Sequence, residues 1–263
     1  MNSARRNSIS IRALLTFVAA AGTLTAQFPG RGPGGPPLPP KAAAVIDITG
    51  YWVSLVNEDW RWRMLTPPKG DFSSVPLNAE GRRFGNLWDP AKDEADGSQC
   101  KAYGAAGLMR LPTRLHITWA DERTLQIDAD AGQQTRLLHF DGPQGQGGGT
   151  TWQGDSAASW QKQAQQRGFG PPQGGPQPGK GGTLKVVTTH MRPGYLRKNG
   201  VPYSENAVLT EFFDRVEFEG VPYLILTTVV DDPRFLNDTF ITSEQFKLEA
   251  DGSKWNPTPC KAR

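Results

Sequence analysis

Tyr203, Glu211, Asp231 and Asp232 are the side chains whose types and spacing suit acid–base chemistry. Tyr203 belongs to the dense polar stretch 195–206, Glu211 falls in the strand-like run that follows, and Asp231-Asp232-Pro233 ends the next such run. Carboxylates gathered beside a phenol can pass a proton between them. The competing reading of Glu211 is structural: it shares a strand face with Arg215, and a charge turned inward must be paired because a lone buried charge is costly. A second set suits binding. Trp60, Trp62, Trp119, Trp152, Trp160, Tyr195 and Tyr203 supply broad apolar faces with a polar edge, as the lining of a cavity for a partly apolar molecule does.

Other patterns carry less. Gly174-Gly175-Pro176-Gln177-Pro178-Gly179-Lys180-Gly181 has the spacing of a phosphate loop, but Gly181 replaces the hydroxyl that would bind Mg²⁺, and two prolines remove cradling amides. Gly154-Asp155-Ser156 starts like a nucleophile elbow, yet Ala158 stands where the closing glycine belongs. Asp128-Ala129-Asp130-Ala131-Gly132 reads as a hairpin turn, lacking the distal ligands of a calcium loop. His116, His139 and His190 all fall in strand-like sequence; converging in a barrel they would make a three-imidazole site, and otherwise they are surface histidines. The sequence gives no reason to expect a metal or a cofactor.

Trp60-Arg61-Trp62-Arg63 interleaves aromatics with cations, as single-strand nucleic-acid binders do. The charge balance argues against that partner. Three of the 29 basic residues, Arg5, Arg6 and Arg12, lie in the first 26 positions, which hold no acid, so the remainder balances the 26 acidic residues. A neutral chain has no electrostatic footprint for nucleic acid. No apolar run reaches the roughly 18–20 residues of a spanning helix.

The elements that must position these residues are mostly strands. Tyr51, Val53 and Leu55 alternate with Trp52 and Ser54; Trp60, Trp62 and Met64 alternate with Arg61 and Arg63; Leu115, Ile117 and Trp119 alternate with His116 and Thr118. Period two marks a half-buried strand. Leu125 and Ile127 continue the pattern, and further strands are expected near 134–140, 151–156, 183–191, 206–218, 221–231 and 238–249. One short helix is expected near 78–88, capped by Asn78 and stopped at Asp89-Pro90. The fold expected is all-β: an antiparallel up-and-down meander closed or nearly closed into a lipocalin-like barrel, which removes exposed edges, with a β-sandwich as the alternative.

Residues 1–26 have a basic start, an apolar stretch 13–21 and small residues before a cut expected after Ala26, the parts of a secretory signal peptide. A periplasmic or extracellular location follows. In that oxidising space Cys100 and Cys260, the only two cysteines, are expected to form a disulfide. Residues 27–45 read as a disordered Pro/Gly-rich tail, 46–260 as a single β-barrel domain, and 142–150 and 161–181 as low-complexity insertions in it.

The stretches Gly50-Tyr51-Trp52-Val53-Ser54, Glu58-Asp59-Trp60-Arg61-Trp62-Arg63-Met64, Gln99-Cys100-Lys101-Ala102-Tyr103-Gly104 and Gly194-Tyr195-Leu196-Arg197-Lys198-Asn199-Gly200-Val201-Pro202-Tyr203-Ser204-Glu205-Asn206 resemble an uncharacterised family of exported bacterial proteins found in acidobacteria and proteobacteria. A broader relation shares Trp152, Gly154, Ser156 and Trp160, then Thr183-Leu184, Thr210-Glu211, Arg215 and Asp231-Asp232-Pro233. The resemblance covers most of 46–260 and implies no particular reaction. It implies that 161–181 is an insertion at a hairpin tip. The broader relatives often carry histidine where Asp155 and Tyr203 stand here, so it gives no support to a histidine-based site.

The function expected is therefore binding of a small, partly apolar ligand by an exported protein. Two alternatives stand beside it: an isomerase, hydratase or hydrolase of a lipid-like substrate on the same barrel, and an envelope structural or interaction module.

Overall fold

The computed structural model describes residues 37–143, 150–162 and 181–262. The expected signal peptide with its cut after Ala26, residues 27–36 of the expected tail, and most of both insertions (144–149 and 163–180) lie outside the described residues.

Nine strands close into a barrel: β1 (Gly50–Leu55), β2 (Arg114–Trp119), β3 (Thr124–Ala129), β4 (Gln134–His139), β5 (Asp155–Lys162), β6 (Gly182–Thr189), β9 (Val208–Phe218), β10 (Val221–Asp231) and β11 (Phe240–Glu249). Between β6 and β9 the chain leaves the barrel to form a separate hairpin of β7 (Gly194–Arg197) and β8 (Val201–Tyr203). Closure comes from β1, which pairs with β2 on one side and β11 on the other, so that Trp52 faces both Leu115 and Leu248. Closure pairs every barrel strand on both sides, the β4–β5 seam being the shortest.

The alternation read in the sequence is what the barrel buries. Leu115 and Ile117, Leu125 and Ile127, Leu184 and Val186, and Leu224 and Leu226 are fully buried, while the residues between them are partly exposed. Trp52, Phe213 and Phe246 complete this apolar filling, and the Trp52 indole donates to the Ile48 carbonyl at 2.9 Å. Toward the end where β2 begins and β9 begins, the interior turns polar, with Arg136, Ser156, Thr188, Glu211, Thr228 and Glu244 all buried.

The barrel is mixed rather than wholly antiparallel. β4 and β5 run parallel, with Leu138 opposite Ser156 and His139 opposite Ala157. β5 and β6 then form a hairpin with Lys162 opposite Gly182.

Short helices cap the polar end. The helix expected after Asn78 is present, joined by others outside that expectation. The strand expected at 60–64 is a helical turn, α1 (Trp60–Arg63), in which the Met64 amide donates to the Trp60 carbonyl. Trp60 and Met64 are one helical turn apart and both exposed, while Arg63 turns inward; the aromatic–cation alternation mimics period two. In α2 (Ala79–Gly85) the Asn78 side chain accepts from the Gly81 amide at 2.8 Å. Asp89-Pro90, expected as a stop, starts α3 (Pro90–Ala95): Asp89 accepts from the amides of Ala91 and Lys92, and proline suits the first helical position. A 3-10 turn (Lys101–Tyr103) and α4 (Ala105–Leu108) follow. Under this cap a second apolar cluster, including Phe72, Leu77, Leu196, Tyr203, Leu209 and Phe235, seals the barrel end.

Cys100 and Cys260 are joined by a disulfide across a separation of 160 residues. Part of the expected tail also packs on the barrel: the Pro40 carbonyl accepts from the Trp160 indole at 2.9 Å, and Lys41 reaches Glu122. No helix among the described residues is long and apolar enough to cross a membrane.

Candidate functional site

A cleft of about 300 Å³ opens between α2, α3, the β7–β8 hairpin and Arg234-Phe235. Its apolar side is Phe84, Leu87, Trp88, Pro193, Pro202 and Phe235. The Phe84 and Phe235 rings meet at 5.0 Å, and the Arg234 guanidinium lies over both. Its polar side is built on Asp93, a buried carboxylate that α3 holds toward the 3-10 turn and the hairpin. Asp93 accepts the Tyr195 hydroxyl at 2.8 Å and pairs with the Lys101 ammonium, which itself lies over the Tyr195 ring.

The electrostatics make this pair of tyrosines donors rather than bases. Burial, with the Asp93 hydrogen bond and charge added, pushes the Tyr195 phenol far above its ordinary value. Burial alone does the same to Tyr203. The Tyr203 hydroxyl is held so close to Gly104 and Gly194 that a Cβ on either would stand 2.2 or 2.7 Å from it. Neither that hydroxyl nor the Trp88 indole N–H finds a partner among the described residues.

Trp88 rests on the hairpin turn. Gly200 has φ +81°, and a Cβ there would come within 2.2 Å of the Trp88 side chain. Gly200→Ala is expected to cost about 1–3 kcal/mol in urea unfolding, because both the left-handed backbone and the close approach require glycine. An unchanged unfolding midpoint would contradict this.

The residues singled out in the sequence do not converge. Tyr195 and Tyr203 line the cleft. Trp152 lies under the Arg192 guanidinium, and its carbonyl accepts from the Ala105 amide. Trp119 and Trp160 meet Phe140 at the far end of the barrel, with ring centres 5.4–6.4 Å apart. Trp62 donates to Asp71 and carries the Arg197 guanidinium on its ring, while Trp60 is 62% exposed.

The four acid–base candidates separate as well. Glu211 is inside the barrel, where it binds Arg136 rather than the expected Arg215; Arg215 is exposed and donates to the Asp47 carbonyl. Asp232 is buried and accepts from the Ser204 amide, the Ser204 hydroxyl and the Arg234 amide, which ties the loop after β10 to the hairpin. Asp231 is exposed. The histidines are dispersed too: His116 stacks on Tyr51 at 4.1 Å, His139 neighbours Thr124, and His190 lies 3.2 Å from Asp155.

Sequence reasoning missed Phe84, Trp88, Asp93, Lys101 and Phe235. The capping signals at Asn78 and Asp89 could have placed two helices there, and with them the Asp93 side chain. No protein-family model, curated protein or solved structure matches the chain.

Proposed function

We propose that the protein is an exported binder of a small, partly apolar molecule, held in the cleft between the helical cap and the β7–β8 hairpin. The observation that carries this reading is the composition of the cleft: an aromatic and proline wall faced by the Asp93–Lys101–Tyr195 set. Ligand sites combine a largely apolar surface with a few fixed polar groups in this way. Export is supported by the disulfide and by the signal-like first 26 residues. Binding is favoured over catalysis because Tyr203, Glu211, Asp231 and Asp232 are held at different places.

The test uses N-phenyl-1-naphthylamine, a neutral apolar fluorophore, together with native mass spectrometry of protein purified from its own host. Saturable dye binding with quenching of tryptophan emission is expected, and a co-purified small molecule should displace the dye. Leu87 lines the cleft yet is 65% exposed, so Leu87→Asp should weaken binding about ten-fold with stability changed by less than about 0.5 kcal/mol. Absence of saturable binding, or binding indifferent to Leu87→Asp, would refute the assignment.

A further inference from the structure

Three arginines from distant parts of the chain converge at the polar end of the barrel: Arg63 of α1, Arg110 after α4, and Arg197 at the end of β7. Each is buried, with 4–5% of its surface exposed. The mouth's carboxylates are hydrogen-bonded elsewhere than to Arg63 or Arg197. Asp59 and Glu244 both bind Arg110, at 2.9 and 3.3 Å, and the Glu58 carboxylate accepts from Gln245. Arg63 meets only carbonyl oxygens, those of Arg110 at 2.8 Å and Glu58 at 3.4 Å, and its Nη2 has no partner among the described residues. Arg197 donates Nη1 to the Ser73 carbonyl at 2.6 Å, while its Nε and Nη2 have none.

Two buried guanidiniums therefore keep open hydrogen-bond donors, with carboxylates near but none hydrogen-bonded to either, an arrangement that is costly unless a further acceptor completes it. Burial pulls down the proton affinity of both, Arg197 to about 10. The Arg110 and Arg197 guanidiniums both lie against the Phe240 ring, at 5.3 and 6.0 Å from its centre.

A recess of about 380 Å³ opens here, lined by Arg63 and Arg110. Its other walls are mostly hydroxyls and acids: Ser74, Thr227, Thr242 and Ser243, with Glu58 and Asp59. Phe240 and Ile241 are the apolar members. The planar donor fork of arginine matches a carboxylate or phosphate group. The volume exceeds what a bare oxyanion fills, and hydroxyls with carboxylate acceptors suit a ligand that carries hydroxyls itself.

We propose that this recess is a second binding site, taking the carboxylate or phosphate group of a small hydroxylated organic acid, as in a sugar acid or sugar phosphate. Arg63 and Arg110 hold the anionic group, Arg197 adds its charge from outside the lining, and the hydroxyl wall holds the remainder. The site is separate from the cleft and does not depend on the function proposed for it.

Calorimetric titration of the full chain with D-glucuronate, glucose 6-phosphate, inorganic phosphate and glucose tests the assignment, and the first two arms tell carboxylate from phosphate. At least one organic anion should bind with a Kd below about 1 mM, weakening as salt is raised, with inorganic phosphate about ten-fold weaker and glucose silent at about 10 mM. Arg63→Gln should weaken binding about ten-fold or more. Because Arg63 is buried and its loss also disturbs α1, Ser74→Asp is the companion variant. Ser74 is exposed at φ +65°, which aspartate tolerates, and the added carboxylate should abolish anion binding with little change in unfolding temperature. Leu87→Asp should leave anion binding intact. Failure of both organic anions to bind, inorganic phosphate binding equally well, or affinity that survives Ser74→Asp would overturn the proposal.

Discussion

Arg136→Met is expected to lower the unfolding free energy by about 3–5 kcal/mol, since it strands the Glu211 carboxylate inside the barrel. Both side chains have no exposed surface, and the guanidinium grips the carboxylate with two bonds of 2.8 and 2.6 Å. Arg136 also donates to the Thr188 hydroxyl, which is 2.8 Å from that of Ser156, so β4, β5, β6 and β9 are joined through one polar node. An orphaned carboxylate there would have no exposed surface through which to be solvated. The double variant Arg136→Met/Glu211→Leu should recover most of the loss, because it removes both charges together. Urea unfolding of the two single variants and the double variant measures the coupling. A single-variant cost below about 1 kcal/mol would mean that water reaches the pair.

Removing the Cys100–Cys260 disulfide should be comparably severe. In the chain-entropy account a closed loop of this length restricts the unfolded state by about 5 kcal/mol, and measured losses for native disulfides run at about 2–5 kcal/mol. The crosslink is one part of a clamp on the last residues. The Thr258 amide donates to the Asp130 carbonyl, the Lys261 amide to the Tyr103 hydroxyl, and the Ala262 amide to the Glu94 carboxylate. Cys100 immediately precedes the turn that carries Lys101. Cys100→Ser/Cys260→Ser should therefore both lower the urea midpoint and weaken dye binding in the cleft. Identical midpoints with and without reductant would show that the hydrogen-bonded clamp suffices.

Much of the barrel was legible because burial on one face writes itself as alternation. Leu115 with Ile117, and Leu224 with Leu226, needed no other information. The same rule misled at 60–64, where a helical turn places Trp60 and Met64 on one side and sends Arg63 inward, a spacing that also fits period two over so few residues. The parallel β4–β5 pair was not legible, because alternation along a strand is the same whichever way its neighbour runs. Of the cleft, only Tyr195 and Tyr203 stood out, through the density of polar residues around them. Asp93 and Lys101 were hidden in helices that a reading of Asp89-Pro90 as a terminator had excluded. The arginine recess had no local signature at all: Arg63, Arg110 and Arg197 become neighbours only when the barrel closes and the hairpin folds over its mouth.

The Trp160 indole meets the Pro40 carbonyl at the end of the barrel opposite the cap, and the joints of the 163–180 segment, Lys162 and Gly181, belong to that same pole. The described joints of that segment therefore stand at the pole opposite the cap, the cap being where the proposed cleft and recess lie. An attachment made through Lys162 or Gly181 would join the chain at the pole away from both recesses.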